Sequence, residues 1–265
     1  MKDCREEWFD AEKKVAVTFV DVTGAAQALA GGHLTGPTAA HYLAEALASV
    51  ALLGAEMSER DETVILQAKC TGPLGGYNVE CSADGGLRGY TEKKVLDGFD
   101  GLGRPRDRMV LGDQQLQVTR SVPGKILSQG ISTSLDGYFA GSLQRKACLR
   151  VEASVSDEVE ILVARGVLVE DLPDAKGPLN CCRLDEVKSL AVAPRNVLGQ
   201  LGLAHAELRK TTPLRFACRC SPDRAVAMLS ALSDEERRTL PESVDVTCHM
   251  CGRTFTLRTG EERKR

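Results

Sequence analysis

The chain has 265 residues, of which 43% are hydrophobic and 27% charged, values that exclude disorder and leave room for one sizeable core plus a small appendage. Its net charge of -3 gives no global basic field for phosphate backbones, and its one concentrated basic run, Arg263, Lys264 and Arg265, follows Glu261 and Glu262 and reads as a solvated end. No window is read as approaching the roughly 18 to 20 apolar residues of a membrane-spanning helix, and residues 1–10 are too acidic for a secretory or transit peptide, so the expected compartment is the reducing cytoplasm.

In chain order, Cys4 falls in a start expected to fray. Residues 35–57, TGPTAAHYLAEALASVALLGAEM, carry Pro37 at the head and apolar Ala40, Leu43, Leu47, Val50 and Leu53 at helical spacing. The period then switches to two: Val64, Leu66, Ala68 and Cys70 form one strand pattern, and Tyr77, Val79 and Cys81 another after the turn at 72–76. Asp84, Gly85 and Gly86 turn the chain into a further strand. A short helix is expected over 135–143. Alternation from Ala147 to Val155 then meets Val159, Ile161 and Val163 across a polar turn, which predicts a hairpin. Strands with interposed helices but no regular beta-alpha order predict an α+β domain, residues 1–173, on an antiparallel or mixed sheet.

Residues 174–213 differ in character. Leu184, Val187 and Leu190, then Val197, Leu198, Leu201, Ala204 and Leu208, have helical periodicity, but Pro194 separates the runs and Gly199 and Gly202 interrupt the second. Each internal glycine costs about 1 kcal/mol relative to alanine. Such a linker should be helical only while docked on something. Cys181 and Cys182 within it are adjacent, with Cα atoms about 3.8 Å apart, too close for an unstrained disulfide, and read as accidental linker thiols, with a secondary oxidation site as the alternative.

The last segment, residues 214–265, reads as a small zinc-binding domain. Ser221 with Pro222 starts a helix through Leu232, Ser233 and Glu236 form a capping box, and strands are expected over 244–247 and 254–257. Ten cysteines in a reducing compartment argue for metal or thiol chemistry, and four of them, Cys218, Cys220, Cys248 and Cys251, lie in this last fifth. In extended chain the sulfurs of Cys218 and Cys220 project to one side. Cys248 and Cys251 lie on a strand-turn-strand with Gly252 just behind, and four thiolates would close a tetrahedral zinc shell without His249. On spacing alone a purely structural zinc ribbon is the better reading. The unusual Cys-x-Cys pair and the marginal segment upstream favour a site that comes apart, because a zinc-bound thiolate is oxidisable and loss of the metal removes about 10 to 16 kcal/mol in zinc-finger peptides.

The run CRC followed by SPDRAVAMLSALSDEERRTLPESVDVTCHMCGRTFTL resembles the zinc domain of the 33-kDa heat-shock redox-regulated molecular chaperones. Independent of the cysteines, so do PTAAHYLAEALASVALLGAEM, GPLGGYNVE, GGLRGY and ARGVLVEDLP, while YFAGSLQRK departs from the Ser-Glu-Gln triplet of many members. The resemblance implies a chaperone and not an enzyme: an ATP-independent holdase for unfolded client proteins, inactive while one zinc ion is bound. It also implies activation by disulfides Cys218–Cys220 and Cys248–Cys251, with the second pair sensing peroxide, and a homodimer in the oxidised state.

Rival functions find less support. No Gly-x-x-x-x-Gly-Lys occurs, Gly72, Gly75, Gly76, Gly101 and Gly103 make no dinucleotide fingerprint, and His33, His41 and His205 have no triad pattern around them. A zinc-ribbon nucleic-acid-binding protein is the main alternative, but aromatics at 4% leave few stacking platforms. A thioredoxin-like oxidoreductase would place Cys248 at a helix N-terminus, which this pattern lacks. Cys70, Cys81 and Cys148 fall in strand patterns and read as core or half-buried residues.

Overall fold

A computed structural model of the chain describes residues 2–100, 107–173, 175 and 180–258, with the side chains of 180–182 and 234 excepted. Gly101, Gly103, the start of the linker at 174 and the basic run 263–265 lie outside the described residues, as do the side chains of Cys181 and Cys182. The elements in order are β1 (Cys4–Asp10), β2 (Val15–Asp21), α1 (Thr23–His33), α2 (Pro37–Leu53), β3 (Thr63–Cys70), β4 (Gly76–Ser82), β5 (Gly86–Thr91), α3 (Asp107–Val110), β6 (Gln114–Val122), β7 (Lys125–Ser132), α4 (Leu135–Gly141), β8 (Lys146–Val155) and β9 (Ile161–Asp171). Then come a 3-10 turn (Asn180–Glu186), α5 (Pro194–Gln200), β10 (Glu207–Pro213), β11 (Arg215–Phe216), α6 (Pro222–Ser230), α7 (Asp234–Thr239), β12 (Ser243–Thr247) and β13 (Thr254–Arg258).

The class is α+β, built on two sheets: β10-β1-β2-β9-β8, and β11-β5-β4-β3-β6-β7. All pairings are antiparallel except β11 with β5. Helix α2 lies between the sheets and is apolar all round, burying every residue except Pro37 and Glu45, as a core helix must. Pro37–Glu56 is in fact long and apolar enough to cross a membrane, with mean hydropathy 1.2, contrary to the sequence expectation; 89% of that window is buried inside the fold.

The first sheet is apolar on both faces. Along β2, Val20 joins the principal core with α1 and α2, while Val15, Val17 and Phe19 turn to the other side. There, with Trp8, Val167 and Val169, they meet Leu184, Val187, Leu190, Val197, Leu198 and Leu201 from the segment after β9. Among the described residues, the expected helical character of that segment is confined to the 3-10 turn and α5, which stops before Gly202 at φ +72°. Leu208 is on strand β10 instead, because the backbone after Ala206 finds hydrogen-bond partners on β1. Cys4 likewise does not fray: it opens β1, paired with β2 on one side and β10 on the other.

An ion pair between buried Glu62 and half-buried Arg120 ties the second sheet to the end of α2. Glu62, 1% exposed, accepts from Arg120 Nε at 2.6 Å and from the backbone N–H groups of Ser58 and Glu59, while Arg120 Nη2 donates to Glu56 O at 2.7 Å. Burial pushes the Glu62 carboxyl up, but these donors outweigh it and hold it below the usual range. A depressed folded-state pKa contributes stability above the unfolded value and loses it as pH falls through the folded one. Glu62→Ala should therefore cost about 1 to 3 kcal/mol at neutral pH by removing the acceptor of Arg120 Nε and of two backbone N–H groups. The deficit in thermal melts should shrink below about pH 4; a pH-independent deficit would contradict this assignment.

Candidate metal centre

The two cysteine pairs arrive from different backbone environments. Strand β11 carries the chain alongside β5, the Ala217 N–H donates to Leu87 O at 2.9 Å, and Cys218 and Cys220 follow at once. The second pair sits on the turn between β12 and β13, where the Cys248 N–H donates to Arg253 O at 2.8 Å and the Gly252 N–H to Cys248 O at 2.9 Å. Gly252, at φ +72°, supplies the left-handed residue this turn requires. The four sulfurs lie within 4.8 Å of one another, with Cys218 to Cys248 at 3.7 Å and Cys220 to Cys251 at 3.5 Å. All four residues singled out in the sequence are thus brought together, and the set can hold a metal ion. His249 is directed elsewhere, edge-on to Tyr90 with ring centroids 5.8 Å apart.

The thiols are not equivalent. Burial pushes Cys218 up, yet the Cys220 backbone N–H, the neighbouring thiols and the Arg88 guanidinium bring it down to about 7. Cys220 and Cys251 are raised, by burial first. A cleft of about 420 Å³, lined by Arg60, Glu80, Ser82, Arg88 and Arg219 among others, opens onto Cys218.

Several residues that join this centre to the core carry no motif. Glu80 on β4 accepts from Arg88 Nε at 2.7 Å and from Arg219 Nη2 at 3.0 Å, so a single carboxylate ties β5 to the residue between the first two cysteines. The Gly89 N–H donates to Met250 O at 3.0 Å, and His33 Nε2 is 2.9 Å from Gly89 O. The backbones of Gly32 and Gly252 touch: a Cβ on Gly252 would lie 1.9 Å from Gly32 O, and one on Gly32 2.6 Å from Cys251 O. The sole hint in the sequence is the Gly31-Gly32 pair near the end of α1.

His33 and His41 lie on α1 and α2, His41 buried, and His205 is exposed. Cys81 is buried in the core, with its thiol pushed up to about 11 by burial, and Cys70 and Cys148 are half-buried, as expected.

A family profile described as Hsp33 protein matches residues 7–258. The chain belongs to the Hsp33 family. It is similar to a 33 kDa chaperonin of Thermus thermophilus, 29% identical over 87% of this chain and 77% of that protein, and to the 33 kDa chaperonin of Oceanobacillus iheyensis, 25% identical over 82% and 83%. The crystal structure of the Thermotoga maritima 33 kDa chaperonin superposes with a TM-score of 0.86 at 18% identity, covering 100% of this chain and 97% of that one, which fixes the shared fold. Hsp33 proteins are chaperones, not enzymes, and this member is a chaperone.

The Gly32–Gly252 contact gives a direct test. Gly252→Ala adds about 1 to 2 kcal/mol of left-handed strain to a backbone clash, whereas a Cβ on Gly31 meets nothing within 4 Å. Hydrogen-exchange protection of the Gly89 amide should fall by about tenfold or more in Gly252→Ala and stay unchanged in Gly31→Ala.

Proposed function

We propose that this Hsp33 chain is a redox-regulated, ATP-independent holdase, whose reduced, inactive form holds one zinc ion on Cys218, Cys220, Cys248 and Cys251. The carrying observation is the four-sulfur cluster: sulfurs at about 2.3 Å from a tetrahedral zinc are roughly 3.8 Å apart, close to the observed 3.7 and 3.5 Å. A bound ion there supplies a closed clamp between two chain segments that have little else to hold them.

Oxidation proceeds pair by pair. One thiolate attacks hydrogen peroxide, becoming a sulfenic acid and releasing hydroxide; the neighbouring thiolate attacks that sulfur and displaces a second hydroxide, leaving one disulfide. Two sulfurs lose two electrons and one peroxide gains them. Cys218–Cys220 and Cys248–Cys251 are the pairs assigned, the second as the peroxide sensor, and the cleft at Cys218 gives oxidant a route to the cluster. Each disulfide withdraws two of the four donors, so the site no longer binds metal.

The consequence reaches the linker, taken as residues 174–213 between a core of 1–173 and a switch domain of 214–265. Its irregular backbone is held by groups of the core: Arg165 Nη1 donates to Leu190 O and Val192 O, both at 3.1 Å, Arg150 to Leu184 O and Val187 O, and Lys13 Nζ to Gly202 O at 2.8 Å. Undocking bares Trp8, Val15, Val17, Phe19, Val167 and Val169, an apolar face suited to unfolding clients. We assign the site of action to the cytoplasm and the oxidised form to a homodimer.

Treatment with peroxide at heat-shock temperature should release zinc to a chromogenic chelator and switch on suppression of client light scattering. Zinc release without suppression overturns the proposal. Cys248→Ser should weaken zinc binding by more than about 100-fold, beyond what outer-shell changes cost, whereas Cys4→Ser should leave it intact; equal effects would mean the wrong thiols. Chelation should likewise raise amide exchange across residues 184–206, and unchanged protection there would remove the coupling.

A further inference from the structure

We infer that the outer edge of β5 (Gly86–Thr91) is a docking site for extended segments of client polypeptide, occupied in cis by β11 and the cysteine turn until the switch domain is released. The inference rests on the release proposed above and adds a second client surface to the apolar face beneath the linker.

One edge of β5 pairs with β4 over Tyr77 to Cys81. Among the described residues, the other is met by pieces of the switch domain and, at Gly89 O, by His33 Nε2 of α1 at 2.9 Å. Arg215 and Phe216 pair in parallel with Gly86 and Leu87, the Arg215 N–H donates to Gly85 O at 3.0 Å, the Ala217 N–H donates to Leu87 O, and the Gly89 N–H reaches Met250 O. Without them the second sheet would end in a strand with unpaired N–H and C=O groups, a template for another backbone. Glycine at position 85 reflects how close the cis segment lies: at φ +82°, a Cβ there would stand 2.0 Å from Pro213 O.

Strand addition draws affinity from main-chain hydrogen bonds and specificity from sockets for alternate side chains. Both elements exist here. Leu214, 5% exposed, and Phe216 both pack into the principal core cluster, while Arg215 between them is exposed and paired with Asp84. The departing segment therefore leaves a bare edge and two apolar sockets at i and i+2 spacing. That edge fits an apolar-polar-apolar stretch of extended chain, the pattern of a half-buried β-strand exposed by unfolding. The opposite edge of the sheet, β7, exposes Ile126 and Ile131 but shifts register against β6 at Arg120/Ser121, an irregularity that blunts pairing.

The test uses the full chain, either reduced and zinc-loaded or oxidised by peroxide until zinc is released, with two dye-labelled heptapeptides as probes. TTPLRFA copies residues 211–217, and TTPRLFA sets the two large apolar residues side by side. The oxidised chain should bind the first about tenfold or more tightly than the second, since one socket goes unfilled; the reduced chain should bind neither. Bound TTPLRFA should restore exchange protection to β5 amides. Equal binding of the two peptides, or β5 amides left unprotected, overturns the inference. Client aggregation assays on the same samples separate the two levels: suppression alongside equal peptide binding sinks the β5 site alone, whereas no suppression sinks the chaperone switch and the site with it.

Discussion

Everything in the C-terminal segment depends on four sulfur atoms staying within reach of one another. The 27 residues between Cys220 and Cys248 bury almost nothing: among the described residues from Ser221 to Arg258, only Ala225, Leu229 and Cys251 are buried. So small a unit has no core able to offset the entropy of ordering it, and closure must come from a cross-link or a metal. The backbone contacts that seat it on the core stand directly beside the cysteines. Ala217 precedes Cys218, Met250 lies between Cys248 and Cys251, and Gly252 follows. Geometry at the sulfurs and docking on β5 and α1 are therefore one cooperative unit.

The rest of the molecule divides around this fact. The principal core, built on α2, receives residues from both sheets and takes none from residues 184–206. The second cluster exists only because the linker lies on the outer face of the first sheet. Arg195 over the Trp8 ring at 4.6 Å, and Glu152 accepting from Ser189 Oγ and the Leu190 N–H at 2.7 Å each, add polar anchors to that contact. Beside its own short turns and α5, the segment has the carbonyls of Leu184, Val187, Leu190 and Val192 satisfied by the core arginines Arg150 and Arg165, so its neighbour contributes to its order. Removing it leaves the larger core standing, which a protein must retain if it is to hold clients while its own linker is undone.

How much of this the sequence declares depends on periodicity. Helix α2, the hairpins of β3 with β4 and β8 with β9, the capping box at Ser233 and Glu236, and the four-cysteine set are all legible, because each carries a local pattern that tertiary structure does not override. Strand β2, VAVTFVD, gives no such signal because a strand buried on both faces loses its alternation. Strand β10 reads as helix because Leu201, Ala204 and Leu208 are spaced three and four apart, and nothing local reveals that β1 offers a free edge. The acidic, charged look of β1 hides a strand whose Arg5 is only 3% exposed and donates to Ala51 O at 3.2 Å. Docking contacts such as Glu80 with Arg219 span too much sequence to leave a signal.

Strand β10 offers the proposed switch a path from the cysteines to residues 184–206. It forms the last part of the linker, from Glu207 to the residue before Leu214, and its backbone is paired to β1 from Cys4 to Phe9. Its side chains are nearly all exposed, and its ladder changes register at Glu7/Trp8, so it gains little from burial and holds mainly by hydrogen bonds to an edge. At one end Leu214 packs in the core and donates from its N–H to Asp3 O; at the other Ala206 packs in the linker cluster. A marginal strand pinned at both ends is stable while both pins hold and weak when either is lost. On the proposed switch, release of the cysteine module would free the Leu214 end and let the ladder open toward Trp8, where the second apolar cluster begins.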